Sequence, residues 1–294
     1  MSQDIENSIT QAVLAKAGQG ADPRIKQISQ ALVRHLHAFI REVEPTQAEW
    51  KAGIDFLTRT GHMCDQHRQE FILLSDVLGV SMLVDAINHR KDEGATQSTV
   101  LGPFYVDAPP EAPLGADIAG SMRGAPLLVQ GSVRDAATGQ PLANAIVDSW
   151  HADESGFYDV QKLESFGGLC GRARFRTDAQ GRFHFWTVKP SSYPIPDDGP
   201  VGDLLKAQGR HPWRPAHVHF MIFADNHSTL VTHVFEQGDE YLESDVVFGV
   251  KHQLIAPLEQ HGAGIAPDGR RMTQPFFRLT YDFALAPAQS QQAA

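Results

Sequence analysis

Apolar residues recur three and four positions apart through much of the first ninety residues, which is the spacing of an amphipathic helix. The clearest stripe runs through residues 25–40 and follows Asp22-Pro23, an N-cap residue with proline at the first helical position. Pro45 ends this helix, and Thr46 with Glu49 forms a capping-box pattern that begins the next one. A shorter amphipathic stretch precedes both, so the pattern predicts an N-terminal region built of helices.

Residues 70–90 are apolar on almost every side, which predicts a buried helix or a helix pair broken near Gly79. From about residue 95 glycine and proline become frequent, and short alternating runs appear between turn signals such as residues 178–181. The runs predicted to be strands are residues 127–134, 145–150, 173–177, 182–188, 217–223, 230–235 and 276–283.

Many short strands separated by turns favour a β-sandwich over a parallel sheet. The expected fold is therefore mainly β with α. A helical N-terminal domain, residues 1–95, is followed by a β-sandwich domain, residues 96–294.

The composition excludes several classes of partner. The chain of 294 residues carries 25 lysines and arginines against 35 aspartates and glutamates, a net charge of −10. This balance argues against nucleic acid or an anionic membrane as partner, since both require clustered positive charge. No apolar run is long enough to span a membrane, and the N-terminal residues show no signal-peptide pattern. Because Cys64 and Cys170 make no disulfide framework, the composition suits a reducing compartment, and we predict a cytoplasmic protein.

Two histidines on one predicted strand are the first candidate for chemistry. His217 and His219 are two positions apart, so their imidazoles point to the same side of the strand. Val218, Phe220 and Ile222 then face the opposite layer. Two neighbouring imidazoles can bind one zinc, copper, iron or nickel ion, although the same pair also occurs on a hydrated sheet face.

Two of the five tyrosines lie in unusual settings. Tyr158 lies in a glycine-containing loop just after a predicted strand, and Tyr193 lies in a proline-framed turn. A phenol with a pKa near 10 ionises at neutral pH only beside a strong positive charge. Fe(III) provides such a charge and prefers anionic oxygen donors. Two imidazoles and two phenolates would leave an open coordination position and a net charge of +1, which suits an anionic oxygen chelate.

These motifs carry a family resemblance. Gly156-Phe-Tyr158, the tract 193–200 and the tract 214–220 resemble those of the intradiol ring-cleaving catechol dioxygenases, and the likeness covers nearly the whole chain, including residues 98–104. Within that family, the tracts 71–79 and 84–89 are most similar to the hydroxyquinol 1,2-dioxygenases.

The resemblance implies a catalytic β-sandwich that holds one non-haem Fe(III) per subunit through Tyr158, Tyr193, His217 and His219. Tyr193 would be displaced when the substrate chelates the iron, and would take up a substrate proton. Arg214 would stabilise negative charge on the substrate ring; its alternative role is a surface ion pair. The resemblance places the following residues in the substrate pocket: Leu73, Asp76, Val100, Leu101, Gly102, Pro103, Phe104, Ile195, Pro196, Arg214 and Val247.

The implied reaction inserts both atoms of O2 into hydroxyquinol (1,2,4-trihydroxybenzene) and cleaves the ring between carbons 1 and 2. The product would be 3-hydroxy-cis,cis-muconate or its tautomer maleylacetate. Asp76 either accepts a hydrogen bond from the third ring hydroxyl or serves the helix break at Gly79. Thr232-His233 departs from the threonine-glutamine common in catechol-type members.

Three alternatives remain open. A catechol or chlorocatechol 1,2-dioxygenase would use the same iron site with a different pocket, and a metal- or ligand-binding β-sandwich module would use the histidine pair without catalysis. A structural domain without metal would leave the motif matches as coincidence. The resemblance also implies a homodimer joined through the N-terminal helices, with phospholipid at the interface. The apolar stripe at residues 25–40 fits burial against a partner and packing within one chain equally well.

Overall fold

The computed structural model describes residues 2–20, 22–65, 68–90 and 94–288. It divides into two compact units, Met1–Arg59 and Thr60–Ala294. Its longer helices are α1 (Ser2–Ala17), α2 (Pro23–Val43), α3 (Gln47–His62), α4 (Glu70–Val77) and α5 (Val80–Asn88). Among the described residues no helix is long and apolar enough to cross a membrane.

The helix starts predicted from the sequence are confirmed in the first unit. The Asp22 carboxylate accepts hydrogen bonds from the backbone N–H groups of Arg24 at 2.7 Å and Ile25 at 3.1 Å. The Thr46 backbone N–H donates to Glu49 at 2.8 Å, and the Glu49 N–H donates back to the Thr46 hydroxyl at 3.2 Å. These bonds satisfy backbone donors that the first turn of a helix leaves without partners.

The predicted break in residues 70–90 is also confirmed, because Gly79 lies between α4 and α5 with a φ of 71°. The other alternative, a single buried helix, is wrong. Val77 is completely buried, whereas Leu83 is 61% exposed. The reason is that the core of the second unit meets the helix pair on one side only, and a uniformly apolar sequence does not say which side that is.

Besides α4 and α5, the second unit contains the helices α6 (Leu163–Phe166) and α7 (Pro200–Ala207), and 3-10 turns at Asp159–Gln161 and His252–Leu254. Its strands are β1 (Pro126–Asp135), β2 (Ile146–His151), β3 (Arg172–Arg176), β4 (Arg182–Val188), β5 (Tyr193–Pro194), β6 (Trp213–Arg214), β7 (His217–Phe223), β8 (Leu230–Glu236), β9 (Ile255–Ala256), β10 (Leu258–His261), β11 (Gly264–Ile265), β12 (Arg271–Met272), β13 (Phe276–Thr280) and β14 (Phe283–Leu285).

Two five-stranded sheets pack face to face, which confirms the β-sandwich. One sheet has the order β10-β13-β1-β14 with β4 also paired to β1, and the other has the order β3-β2-β7-β8-β9. The core between them includes Val129 and Phe185 from the first sheet and Val218, Phe220 and Ile222 from the second. These alternate residues of β7 face the core as predicted, which leaves His217 and His219 on its other face.

The predicted strand 276–283 is two strands, β13 and β14, which pair with successive parts of β1. Gly131 of β1 lies where they separate. A Cβ atom at this glycine would collide with the carbonyl oxygen of Tyr281. The close approach of the two backbones interrupts the ladder, and an apolar run along the sequence does not reveal such an approach.

Candidate active site

The two histidines of β7 lie side by side at the centre of their sheet. Their Nε2 atoms are 3.1 Å apart, and both side chains are almost completely buried. The Nδ1–H of His217 donates to the carbonyl oxygen of Pro215 at 2.7 Å, so its Nε2 carries a free lone pair. Burial, helped by the charge of Arg214, lowers the pKa of His217 to about 3. Both features make this imidazole neutral and able to bind a metal.

Tyr158 brings its phenol to the same point from the loop after β2. Its Oη lies 2.9 Å from Nε2 of His219 and 3.4 Å from Nε2 of His217. The side chain is completely buried, and Phe104 stacks on its ring with the centroids 4.4 Å apart. Burial raises the pKa of Tyr158 well above its usual value of 10. The phenol therefore keeps its proton unless a cation binds beside it.

Tyr193 reaches the cluster from β5, a two-residue strand whose Tyr193 pairs with Arg214 of β6. Its ring centroid lies 5.6 Å from that of Tyr158 and 5.6 Å from that of His217. Gly156 has a φ of 81°, and a Cβ atom there would lie 2.5 Å from Cβ of Tyr193. The glycine is thus required both for the turn before Tyr158 and for the close approach of Tyr193.

The four side chains fit a non-haem ferric ion by the chemistry of their donor atoms. Two neutral imidazole nitrogens and one phenol oxygen lie within 3.4 Å of one another, and the Tyr193 ring packs beside them. Imidazole suits iron, and a phenol that burial keeps neutral becomes an anionic ligand only beside a strongly charged ion.

A cavity of about 80 Å³ opens beside this cluster. Among its lining residues are the following residues predicted from the sequence: Leu73, Asp76, Val100, Gly102, Pro103, Phe104, Tyr193, Ile195, Pro196, Arg214 and Val247. Leu101 does not line the cavity and is 38% exposed. Val100 and Gly102, on either side of it, take the wall positions, so Leu101 faces the solvent.

Sequence reasoning missed three residues of the cavity wall, Arg68, Gln69 and Ile72. Ile72 lies four positions before Asp76, and Gln69 lies four positions before Leu73. Extending the helical spacing of the predicted pair backward would have found both. Arg68 precedes the helix, and its guanidinium pairs with Glu70 at 2.8 Å; no local pattern marks it as a cavity residue.

Two charged groups at the cavity compensate each other. Arg214 is 4% exposed, and its Nε and Nη2 donate to the carboxylate oxygens of Asp245 at 3.1 and 3.3 Å. Burial disfavours the charged form of both groups, but the attraction between the two opposite charges outweighs this effect of burial. The pKa of Arg214 is therefore raised and that of Asp245 is lowered. The structure thus gives Arg214 a buried partner rather than the surface ion pair considered above.

Asp76 is the buried acid among the residues that line the cavity. Burial raises its pKa, and a hydrogen bond from Ser81 and the charge of Arg214 oppose that shift. The backbone carbonyl of the same residue accepts the N–H of Gly79 at 2.9 Å. Asp76 therefore stabilises the helix break at Gly79 through its backbone carbonyl and through its contact with Ser81. It also lines the cavity.

Comparison with known proteins identifies the family. Residues 22–96 match the family model described as catechol dioxygenase N terminus, and residues 100–287 match the family model described as dioxygenase. The chain belongs to the intradiol dioxygenases. Two relatives are a 6-chlorohydroxyquinol 1,2-dioxygenase of Cupriavidus pinatubonensis, 52% identical over 98% of this chain and 99% of the relative, and a hydroxyquinol 1,2-dioxygenase of Nocardioides simplex, 48% identical over 96% of each.

A solved structure agrees with this assignment. The hydroxyquinol 1,2-dioxygenase of Pseudomonas putida DLL-E4 superposes with a TM-score of 0.91 at 45% sequence identity, and the match covers 97% of this chain and all of that one. Sequence identity of 45–52% over nearly the full length shows that this chain shares both the fold and the enzyme class of these relatives. The protein is therefore an intradiol dioxygenase enzyme.

This intradiol dioxygenase has a third imidazole beside the histidine pair. His233 of β8 lies directly opposite His219 across the sheet, and their ring centroids are 4.1 Å apart. Its Nε2 is buried without a hydrogen-bond partner among the described residues. The sequence marked His233 as a departure from the catechol-type pattern, but only the register of β7 and β8 places it beside the ligand candidates.

The segments that carry these groups are held by buried polar contacts. The Asp159 carboxylate pairs with Arg172, and Arg172 also donates to the carbonyl of Phe104 at 2.8 Å. The buried His151 contacts the Thr187 hydroxyl at 2.6 Å and donates to the carbonyl of Ala152 at 2.7 Å. The contacts of Arg172 and the contact between His151 and Thr187 join separate segments around the site, and none of these side chains lines the cavity.

Proposed function

We propose that this intradiol dioxygenase binds one non-haem Fe(III) per subunit through Tyr158, Tyr193, His217 and His219, and that it cleaves hydroxyquinol. The observation that carries the proposal is the convergence of two neutral imidazoles and two tyrosines beside a cavity lined by Arg214 and Asp76. The names of the relatives described above point to the same substrate.

The proposed roles of the side chains follow from their positions. Bound Fe(III) would act as a Lewis acid and as a template for an oxygen chelate. The Oη of Tyr193 would accept a proton from the incoming ring hydroxyl, because this tyrosine lines the cavity and its neighbour Tyr158 does not. The guanidinium of Arg214, fixed by Asp245, would stabilise negative charge that develops on the ring.

Asp76 supports hydroxyquinol over catechol as substrate. A carboxylate in an apolar cavity favours a ligand that can donate a hydrogen bond to it, and a triol has one more donor than a diol. The reaction would consume one molecule of O2, place one oxygen atom on each carbon of the broken bond, and require no further reductant. Its product would be 3-hydroxy-cis,cis-muconate or its tautomer maleylacetate.

Oxygen uptake by the iron-loaded protein tests the substrate. Hydroxyquinol, catechol and 6-chlorohydroxyquinol would be compared at matched concentrations, with non-enzymatic autoxidation subtracted. We expect kcat/KM for hydroxyquinol to exceed that for catechol by about tenfold or more, which is the effect of one hydrogen bond to a buried charged group. Equal efficiency with catechol would favour the catechol dioxygenase alternative. The chlorinated triol is included because one relative carries it in its name.

The visible spectrum tests the metal separately. Tyrosinate bound to Fe(III) gives a ligand-to-metal charge-transfer band, whereas a zinc-binding module with the same histidine pair would be colourless. We expect the iron-loaded protein to be coloured before any substrate is added. A colourless protein that retains stoichiometric iron would contradict tyrosine ligation even if the protein remained active.

We also propose a homodimer joined through residues 1–95, with the catalytic domain in residues 96–294 and phospholipid at the helical interface. Support comes from apolar side chains of α2 that are exposed in the single chain, such as Leu32 and Phe39 at 63% and 55%. Sedimentation at micromolar concentration tests the dimer, and a monomer would contradict it. Lipid extraction followed by mass spectrometry tests the phospholipid. A cytoplasmic location remains part of the proposal.

A further inference from the structure

We infer that Asp239 is a positioning residue that ties the segment carrying Tyr193 to the start of the strand carrying His217. The inference rests on the proposed function, in which these two residues bind the iron. Asp239 touches neither of them directly. It acts through Ser192 and Ala216, the residues that immediately precede them in the chain.

One carboxylate makes all the contacts. Oδ2 of Asp239 accepts a hydrogen bond from the Ser192 hydroxyl at 2.5 Å and another from the backbone N–H of Ala216 at 2.9 Å. Oδ1 accepts the backbone N–H of Tyr241 at 2.9 Å, which fixes the orientation of the carboxylate. Because Oδ2 binds both Ser192 and Ala216, this one oxygen atom fixes the distance between the segment before Tyr193 and the start of the strand with His217. Charge-assisted bonds of this kind are stronger than neutral ones.

The segment before Tyr193 needs this restraint because it borders open space. A cavity of about 530 Å³, separate from the substrate cavity, is lined by Pro190, Ser191, Ser192 and Asp239 among others. Side chains that border open space lack the dense packing that holds a protein interior in place. At this position the Asp239 carboxylate therefore restrains the backbone, as close packing does in the rest of the interior. Beyond Ser192, the Tyr193 backbone is confined by its close approach to Gly156.

The restraint matters because the proposed reaction requires Tyr193 to leave the metal and return to it. With Ser192 tied to Asp239, the phenol can rotate while its backbone stays in place. Without the tie, the bound position of Tyr193 becomes less favourable relative to the displaced position. Substrate binding, which displaces Tyr193, should then become tighter, and the resting protein should hold its iron less firmly.

Variants of Ser192 separate this role from general stability. Ser192→Ala removes one hydrogen bond and leaves Asp239 bound to Ala216, whereas Ser192→Thr keeps the hydroxyl. Asp239→Asn weakens both bonds. Asp178→Asn is the matched control, because Asp178 accepts backbone N–H groups of Gln180 and Arg182 in a turn that carries no ligand candidate.

Three measurements on the iron-loaded protein give the answer: the resting visible spectrum, an anaerobic titration with hydroxyquinol, and the rate of iron release to a chelator. For Ser192→Ala we expect the apparent Kd for hydroxyquinol to fall about threefold to tenfold and iron release to accelerate by a similar factor. Asp239→Asn should change both quantities at least as much. Ser192→Thr and Asp178→Asn should behave as the wild type does.

The outcomes distinguish this inference from the proposal on which it rests. An iron-loaded wild type without a charge-transfer band overturns both. A coloured wild type whose Ser192→Ala variant keeps the same spectrum, Kd and release rate overturns the role of Asp239 alone. That role is also overturned if Ser192→Thr is as impaired as Ser192→Ala, since the hydroxyl would then not be the group that matters.

Discussion

Replacing Asp245 by asparagine should destabilise the protein, because it leaves Arg214 charged and buried without a counter-ion. The two side chains are only 2% and 4% exposed, and their closest atoms are 3.1 Å apart. Asparagine has nearly the same shape and can still accept the backbone N–H of Gly249, which Asp245 accepts at 2.9 Å. The substitution therefore removes charge and little else.

The magnitude follows from the geometry of the pair. Two unit charges at 3.1 Å attract each other by about 5 kcal/mol at an effective dielectric constant of about 20. Part of that energy offsets the cost of removing both ions from water, and breaking one side of a buried pair typically costs about 3–5 kcal/mol. Asparagine keeps one weak acceptor for the guanidinium. We therefore expect Asp245→Asn to lower the free energy of unfolding by about 3 kcal/mol.

A double-mutant cycle in urea isolates the pair. Asp245→Asn, Arg214→Met and the combined variant would be unfolded while the fluorescence of the buried Trp150 and Trp186 is followed. The free energy of unfolding of the combined variant should fall by about 2–3 kcal/mol less than the sum of the falls in the two single variants, because the combined variant contains no unpaired buried charge. Asp197→Asn is the control. It breaks an exposed pair with Lys206 and should cost less than about 1 kcal/mol.

Additive losses, within about 0.5 kcal/mol, would refute the reasoning, because independent sites add and coupled charges do not. The cycle also separates stability from activity. Arg214→Met and the combined variant should both keep their iron and lose turnover by about a hundredfold or more, since the group that stabilises negative charge is absent from both. Recovery of turnover in the combined variant would show that Arg214 has no direct role.

Three further predictions address other parts of the site. Tyr158→Phe should shift or bleach the visible band and weaken iron retention more than tenfold; an unchanged spectrum would exclude Tyr158 as a ligand. Asp76→Asn should lower the ratio of kcat/KM for hydroxyquinol to that for catechol by about tenfold, and a constant ratio would remove Asp76 from substrate selection. Burial lowers the pKa of His151 from 6.5 to about 4, so the unfolded chain binds a proton there that the folded chain excludes. The stability this contributes is present above pH 6.5 and is lost as the pH falls toward 4. When the pH is lowered from 7 to 5, the free energy of unfolding measured in urea should fall by about 2 kcal/mol less for His151→Gln than for the wild type. An equal fall in both proteins would contradict the lowered pKa of His151.

Local features of the fold could be predicted from the sequence because they depend on neighbours in the chain. The capped helix starts at Asp22 and Thr46, the break at Gly79 and the shared face of His217 and His219 each depend on residues at most four positions apart. Spacing of this kind fixes backbone geometry before any tertiary contact forms. Six of the seven predicted strand runs also end within one residue of the observed strands, the exception being residues 276–283.

Features that depend on distant parts of the chain could not be predicted. Asp245 lies 31 residues from Arg214, and no motif in its own segment marks it as a counter-ion. The register that places His233 opposite His219 was likewise invisible, although both residues were noted in the sequence. The solvent-facing position of Leu101 depends on which wall of the cavity the chain follows, and a local match to a pocket tract does not determine that.

The charges of the site explain together why such a pocket can accept an anionic chelate. Burial keeps His217 and His219 neutral and Tyr158 protonated, and the charge of Arg214 is balanced by Asp245, so this part of the interior is close to neutral without a metal. Under the proposed ligation, Fe(III) with two phenolates adds one positive charge, which a doubly ionised diol or triol would more than neutralise. Release of Tyr193 as a neutral phenol would offset that excess. Displacement of this tyrosine would then let a buried site exchange one anionic ligand for another without accumulating charge, and the inferred restraint on its backbone would act on that step.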